Sequence, residues 1–266
     1  MQRLRSFTWC ASVICLGSVT AAYGDGVTLI NSAVVQTHVY NDVPSATPFT
    51  FNNYTSSGGG FILLGESGVS APSGFADRDV WHFSGDGSTP FAIGPKAYFS
   101  ASMQVTLTGN PASPRKEAGW LFSTANDGDI QFIVNSDAGE VVQFGGISFY
   151  SFSGNNIVPK YQNGTQITLG IKYFVDPNNG DNALQFSANN NLSPIFDFTA
   201  SVGSGALDPG ISTLGGYLQL VNDPSNPANG GNALFSNISI VPAPEPSVVA
   251  FVGAGLLSLV LIRRRR

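Results

Sequence analysis

Alternation with a period of two is the feature that most limits what this chain can fold into. Met103, Val105 and Leu107 fall on one side of an extended segment, and Gln104, Thr106 and Thr108 on the other. The same two-sidedness separates Ile130, Phe132 and Val134 from Gln131, Ile133 and Asn135. It also separates Ile167, Leu169 and Ile171 from Thr168, Gly170 and Lys172. Successive side chains of a strand point to opposite faces, so these segments read as half-buried strands of antiparallel sheet. Between the strands stand Asn126-Asp127-Gly128, Asp137-Ala138-Gly139, Asn163-Gly164, Asn178-Asn179-Gly180-Asp181 and Asn222-Asp223-Pro224. Such residues reach left-handed conformations or cap a turn with their own side chains. Many short strands joined by such turns make an all-β antiparallel sandwich. One domain over 25–241 accounts for the pattern, with 53–60 and 65–74 read as loop insertions between early strands.

Both ends differ from this middle. Arg3 and Arg5 form a basic start, 7–19 is apolar, and Ala22 and Gly24 supply small residues at the −3 and −1 positions of a cut after Gly24. The first 24 residues therefore read as a secretory signal helix. At the other end Pro242, Pro244 and Pro246 lack backbone donors and keep their predecessors extended. An apolar run over 248–262 follows, expected as a helix short of the roughly 20 residues of a typical span, and then Arg263, Arg264, Arg265 and Arg266. By the positive-inside rule those arginines stay cytoplasmic.

The order Pro244-Glu245-Pro246, apolar helix, terminal arginine cluster resembles the PEP-CTERM sorting signal of Gram-negative bacteria, over 242–266. The resemblance implies an exported protein, held transiently in the membrane through 248–262. An exosortase would process it, leaving it at the cell surface or in an exopolysaccharide matrix.

Removal of the ends alters the chemistry that remains. Cys10 and Cys15 both lie in the signal segment, so the mature domain has no disulfide and depends on core burial. Arg78, Lys96, Arg115, Lys116, Lys160 and Lys172 then face all seventeen acids, Glu245 included. An acidic surface of this kind disfavours nucleic acid as a partner.

Within the sandwich, the segments beginning at Tyr98, Gly119, Asp129, Thr168, Leu184, Gly216 and Ala233 resemble the strand pattern of the concanavalin A-like/laminin-G jelly roll, over about 95–241. That fold often binds glycans on a concave face and sometimes cleaves them. Its glucanase branch carries Glu-x-Asp-x-x-Glu on one strand, because two carboxylates must flank the glycosidic oxygen. None of Glu66, Glu117, Glu140 and Glu245 begins that pattern. There is no Gly-x-Ser-x-Gly elbow, and His38 and His82 are the only histidines. The expectation is a non-catalytic surface or matrix protein that binds polysaccharide; the alternatives are a glycan-processing enzyme and a purely structural matrix component.

Candidate binding groups follow from parity. Leu218 and Leu220 point inward, which turns Tyr217 and Gln219 outward, with Gln104, Gln131, Gln143 and Gln185 in comparable phase on their own strands. Rings stack on sugars and amides bridge hydroxyls, although an outward face can equally be merely solvated. Trp120 is either a further stacking platform or core. Asp176, Asn178 and Asp181 offer oxygen ligands to a hard cation such as Ca2+, or are simply a hairpin turn. His82 reads as a packed or hydrogen-bonded side chain, and no other cofactor is expected.

Overall fold

The computed structural model describes residues 27–40, 43–125, 128–197 and 212–243. The signal segment 1–24, Pro244, Glu245, Pro246, the apolar run 248–262 and the arginines at 263–266 lie outside the described residues. Among the described residues no helix is long and apolar enough to cross a membrane.

One 3-10 turn, Val27–Leu29, precedes fifteen strands. In order these are β1 (Ser32–Tyr40), β2 (Thr47–Asn52), β3 (Phe61–Ser67), β4 (Ala76–Ser84), β5 (Phe99–Asn110), β6 (Lys116–Thr124), β7 (Gly128–Asn135) and β8 (Val141–Gly145). There follow β9 (Tyr150–Ser151), β10 (Gln166–Val175), β11 (Asn182–Ala188), β12 (Asn191–Leu192), β13 (Phe196–Asp197), β14 (Thr213–Val221) and β15 (Gly230–Pro242). They form two antiparallel sheets. The seven-stranded sheet runs β1-β4-β14-β6-β7-β8-β9, and the eight-stranded sheet runs β12-β11-β10-β5-β15-β3-β2, with β13 paired to β11. The expected all-β antiparallel sandwich is what the chain forms, and its topology is consistent with a jelly roll.

The period-two segments build the core as their parity requires. Met103, Val105 and Leu107 are fully buried, as are Phe132, Val134 and Leu169. Aromatic side chains fill the middle: Trp81 and Phe83 of β4 stand edge to face, their ring centroids 5.2 Å apart, and Trp81 lies 5.9 Å from Trp120. Trp120 Nε1 donates across the sandwich to the Leu169 carbonyl on β10 at 3.0 Å, so the buried indole keeps a partner. Each fully buried large apolar side chain contributes roughly 1.5–3 kcal/mol, and a disulfide-free domain needs many of them.

One boundary differs from expectation. Residues 65–67 are not loop but the end of β3, and Gly65 sits there because the Phe49 ring of β2 occupies the space a Cβ would take. The early strands belong to the same sandwich, ahead of the stretch from about 95 that carries the jelly-roll resemblance: β1 and β4 complete one sheet, β2 and β3 the other. Ile62, Leu64, Trp81 and Phe83 from these early strands belong to the common core.

Candidate functional site

Because Trp81 and Phe83 of β4 point inward, Arg78, Val80 and His82 point out of the seven-stranded sheet. Register carries that face across four more strands. Arg78 lies opposite Gln219, and Gln219 opposite Glu117. Val80, Tyr217, Gly119, Ile133 and Val142 form the next row, and His82, Gly215, Leu121, Gln131 and Phe144 the one after. Strand spacing is held tight at Gly119, where a Cβ would collide with the Phe132 carbonyl of β7.

This outward face is not simply solvated. Val80, Leu121, Ile133, Val142 and Tyr217 form a second buried cluster, with Phe144 packed against it. A polar network runs through these apolar groups. Arg78 Nε donates to Gln219 Oε1 at 2.8 Å, and Gln219 Nε2 donates to Glu117 Oε1 at 3.0 Å. The Tyr217 hydroxyl lies 3.2 Å from Glu117 Oε1 and 2.6 Å from Gln131 Oε1. One phenolic proton cannot serve two acceptors. The shorter contact, to Gln131, takes the proton, and the contact to Glu117 is the weaker of the two. Burial, the largest influence on Glu117, raises its carboxyl above the usual range, against the pull of Arg115, the Tyr217 bond and Arg78. Burial first, then the neighbouring Glu117, holds the Tyr217 phenol well above its ordinary value, so it keeps its proton.

Arg78 is the cation of the face. Its guanidinium carbon sits 4.9 Å from the ring centroids of both Tyr40 and Tyr217, a double cation–π contact. Nη1 reaches to 3.7 Å from Asp129 Oδ2 on β7, two strands beyond the neighbour of β4. The side chains therefore close over the middle of the sheet. His82 stands diagonal to Tyr217 on the paired strand, at about 7 Å by ordinary sheet geometry. It is 8% exposed, and its Nδ1 has no hydrogen-bond partner among the described residues. Burial lowers its pKa, with Asp129 pulling the other way, so the imidazole is neutral at neutral pH.

Tyr217, Gln219 and Gln131 thus share one outward face. Tyr217 is wholly buried there, its ring covered by Arg78 rather than presented to solvent. Gln104 and Gln185 belong to the other sheet, and Gln143 points between the sheets, where its Nε2 bonds the Ser148 carbonyl. Trp120 is core and offers no platform at the surface. Asp176 Oδ1 accepts from both the backbone N and the Nδ2 of Asn178, while Asp181 N donates to Asn179 Oδ1. Those groups form a side-chain-capped turn between β10 and β11. Sequence reasoning did not select Arg78, His82, Glu117 or Asp129, although the parity of Trp81 and Phe83 carries the signal for the first two.

No protein-family model matches the sequence, and no curated protein matches it. Solved structures do. A GH16 protein of the Bacteroides ovatus mixed-linkage glucan PUL, in complex with G4G4G3G product, aligns with TM-score 0.46 at 12% identity, covering 79% of this chain and 94% of that one. Alginate lyase A1-II′ of family 7, a Y284F form with product, aligns with TM-score 0.47 at 12% identity, covering 83% and 98%. Alginate lyase PA1167 from Pseudomonas aeruginosa gives TM-score 0.46 at 15% identity, covering 69% and 83%. These structures share the concanavalin A-like/jelly-roll sandwich. They correct the expectation of a non-catalytic protein. That expectation rested on a missing glucanase motif on one strand; the solved structures that match include a GH16 protein and alginate lyases, together with the Emp47p carbohydrate recognition domain.

Proposed function

We propose that this protein is a glycan-processing enzyme that cleaves an acidic polysaccharide by β-elimination on the outer face of its seven-stranded sheet. One observation carries the reading: a neutral histidine with an unpartnered ring nitrogen, a proton-bearing tyrosine and a guanidinium share that face. Elimination from a uronate needs these parts. A cation and amides must neutralise the carboxylate beside the reacting carbon, a base must take the C5 proton, and an acid must protonate the departing C4 oxygen. Arg78 with Gln219 and Gln131 suits the first task, His82 the second and Tyr217 the third, which requires Arg78 to swing off the Tyr217 ring and open the buried hydroxyl to substrate. The electron pair of the C5–H bond becomes the new C4–C5 double bond as the C4–O bond breaks, so atoms and charge balance with no added reactant. Export by the signal segment 1–24 and sorting by an exosortase through Pro244-Glu245-Pro246 would place this activity at the cell surface, against exopolysaccharide.

The test is to incubate the full chain with polyuronates and with neutral β-glucans. Ultraviolet absorbance of unsaturated uronate ends is followed alongside total reducing ends. Absorbance rising with polyuronate, and lost in His82→Ala and Tyr217→Phe, is the expected result. Reducing ends from a neutral glucan without that absorbance would replace elimination by hydrolysis. No product from either class would overturn the assignment.

A further inference from the structure

The other side of β4 carries a second constellation. Asp77 and Asp79 alternate with Arg78, so they point between the sheets beside Trp81, and both are fully buried. Glu66 comes towards them from β3 of the opposite sheet and is 1% exposed. The edge strand β1 supplies His38 at a shift of register between Gln36 and Tyr40, with a left-handed φ of 55°. That kink turns the imidazole inward, placing Nδ1 3.1 Å from Asp77 Oδ2. The backbone amides of Val43 and His38 donate to Asp77 Oδ2 and Asp79 Oδ1, each at 3.1 Å. Ligand atoms of His38, Glu66 and Asp77 all lie within 4.8 Å of one another. Asp79 meets Glu66 carboxyl to carboxyl through a side-chain hydrogen bond, and both groups are buried.

Three buried carboxyl groups, drawn from both sheets, thus converge on one partly exposed imidazole. Burying such a concentration of acid is expensive unless the groups coordinate a cation or carry protons. We propose that His38, Glu66 and Asp77, with Asp79 completing the donor set, bind a divalent first-row cation of the Mn2+ or Zn2+ kind. One imidazole nitrogen with carboxylate oxygens suits such an ion, whereas Ca2+ takes about six to eight oxygens. Two donors each about 2.0–2.2 Å from one ion stand at most about 4.4 Å apart, so a pair at the 4.8 Å limit has to draw together on binding. The ion would staple β1 and β4 of one sheet to β3 of the other, directly behind the strand that presents Arg78 and His82.

The experiment strips the full chain with a chelator and adds Mn2+, Zn2+, Mg2+ or Ca2+ separately. Bound metal is measured after gel filtration, and thermal melting is followed in parallel. Expected is retention of about one equivalent of Mn2+ or Zn2+. At a hundredfold excess over Kd the melting midpoint should rise by about 5–10 °C. His38→Ala, at a partly exposed edge position, should fold with a near-normal circular dichroism spectrum yet bind at least about tenfold more weakly. Asp181→Asn, in the distant turn, should bind as the parent does. No retained transition cation, retention of Ca2+ or Mg2+ alone, or undiminished binding by His38→Ala would each overturn the assignment.

Discussion

The outer faces of the two sheets are made of similar strands and put to opposite uses. On the seven-stranded sheet, Arg78, Glu117, Gln131, Tyr217 and Gln219 bond to one another inside a ring of Val80, Leu121, Ile133 and Val142. On the eight-stranded sheet the outward groups are Ser100, Ser102, Lys172, Gln185, Ser187 and Ser239, around a shallow depression of about 300 Å³. There the contacts are short-range and wet: Ser102 Oγ meets Ser239 Oγ at 3.0 Å, and Lys172 Nζ lies 4.7 Å from the Phe174 ring. Chain composition does not separate the faces, since both carry amides and hydroxyls. Burial does. In a low-dielectric setting each polar group that loses its partner is costly, and each charge acts strongly on its neighbours. Short serines under solvent have neither property.

The sharpest way to break the comparison is Arg78→Ala. It removes the one guanidinium of the buried face, and turnover on polyuronate should fall by at least about a hundredfold. Loss confined to KM would instead mean that Arg78 only holds the substrate. Tyr217→Phe deletes one oxygen and leaves Glu117 and Gln131 without it, so urea unfolding should show roughly 1–3 kcal/mol of lost stability. A neutral result there would make the buried network no more demanding than the serine face.

Glu117→Gln sharpens the contrast through pH. The folded carboxyl is raised above its ordinary value, so folded Glu117 holds a proton that the unfolded chain releases once pH passes about 4.5. Stability from this group is therefore present at low pH and is lost as pH rises, until the folded group has also ionised. Denaturation midpoints across that range should slope downward in the parent and less steeply in Glu117→Gln. The smallest effects belong to the other sheet: Ser102→Ala and Ser187→Ala should each stay within about 0.5 kcal/mol of the parent and leave turnover unchanged.

Much of this was legible in the residues. Alternation of Met103, Val105 and Leu107 against Gln104, Thr106 and Thr108 fixed both strand and facing, and the structure keeps both. Tyr217, Gln219 and Gln131 came from the same parity argument and do meet on one face. Gln143 did not, because parity alone does not say on which side of a strand the sandwich lies. Register was the larger gap. That Arg78 stands opposite Gln219, and Gln219 opposite Glu117, joins positions 141 and 102 residues apart, and no local pattern encodes such pairings. His82 reads from the sequence only as a packed or hydrogen-bonded side chain, and its place beside Tyr217 is hidden for the same reason. The segment 65–67 looked like loop because glycine usually breaks strands, whereas here Gly65 makes room for Phe49.

Strand order has a further consequence, and it concerns time. The last two strands are not added at the rims: β14 lies between β4 and β6, and β15 between β3 and β5. Until residues 213–242 arrive, each sheet is split in two, and four strands present raw hydrogen-bonding edges. The halves pair largely with neighbours in sequence but cannot be joined without β14 and β15, so closing each sheet waits on contacts across most of the chain length and should be slow. A ribosome or a channel delivering this polypeptide from its amino end would therefore handle an open, adhesive chain almost to the last strand. Then both sheets would join late, and a chain cut short before β14 would keep only local pieces such as the β6-β7-β8-β9 meander, each sheet still split.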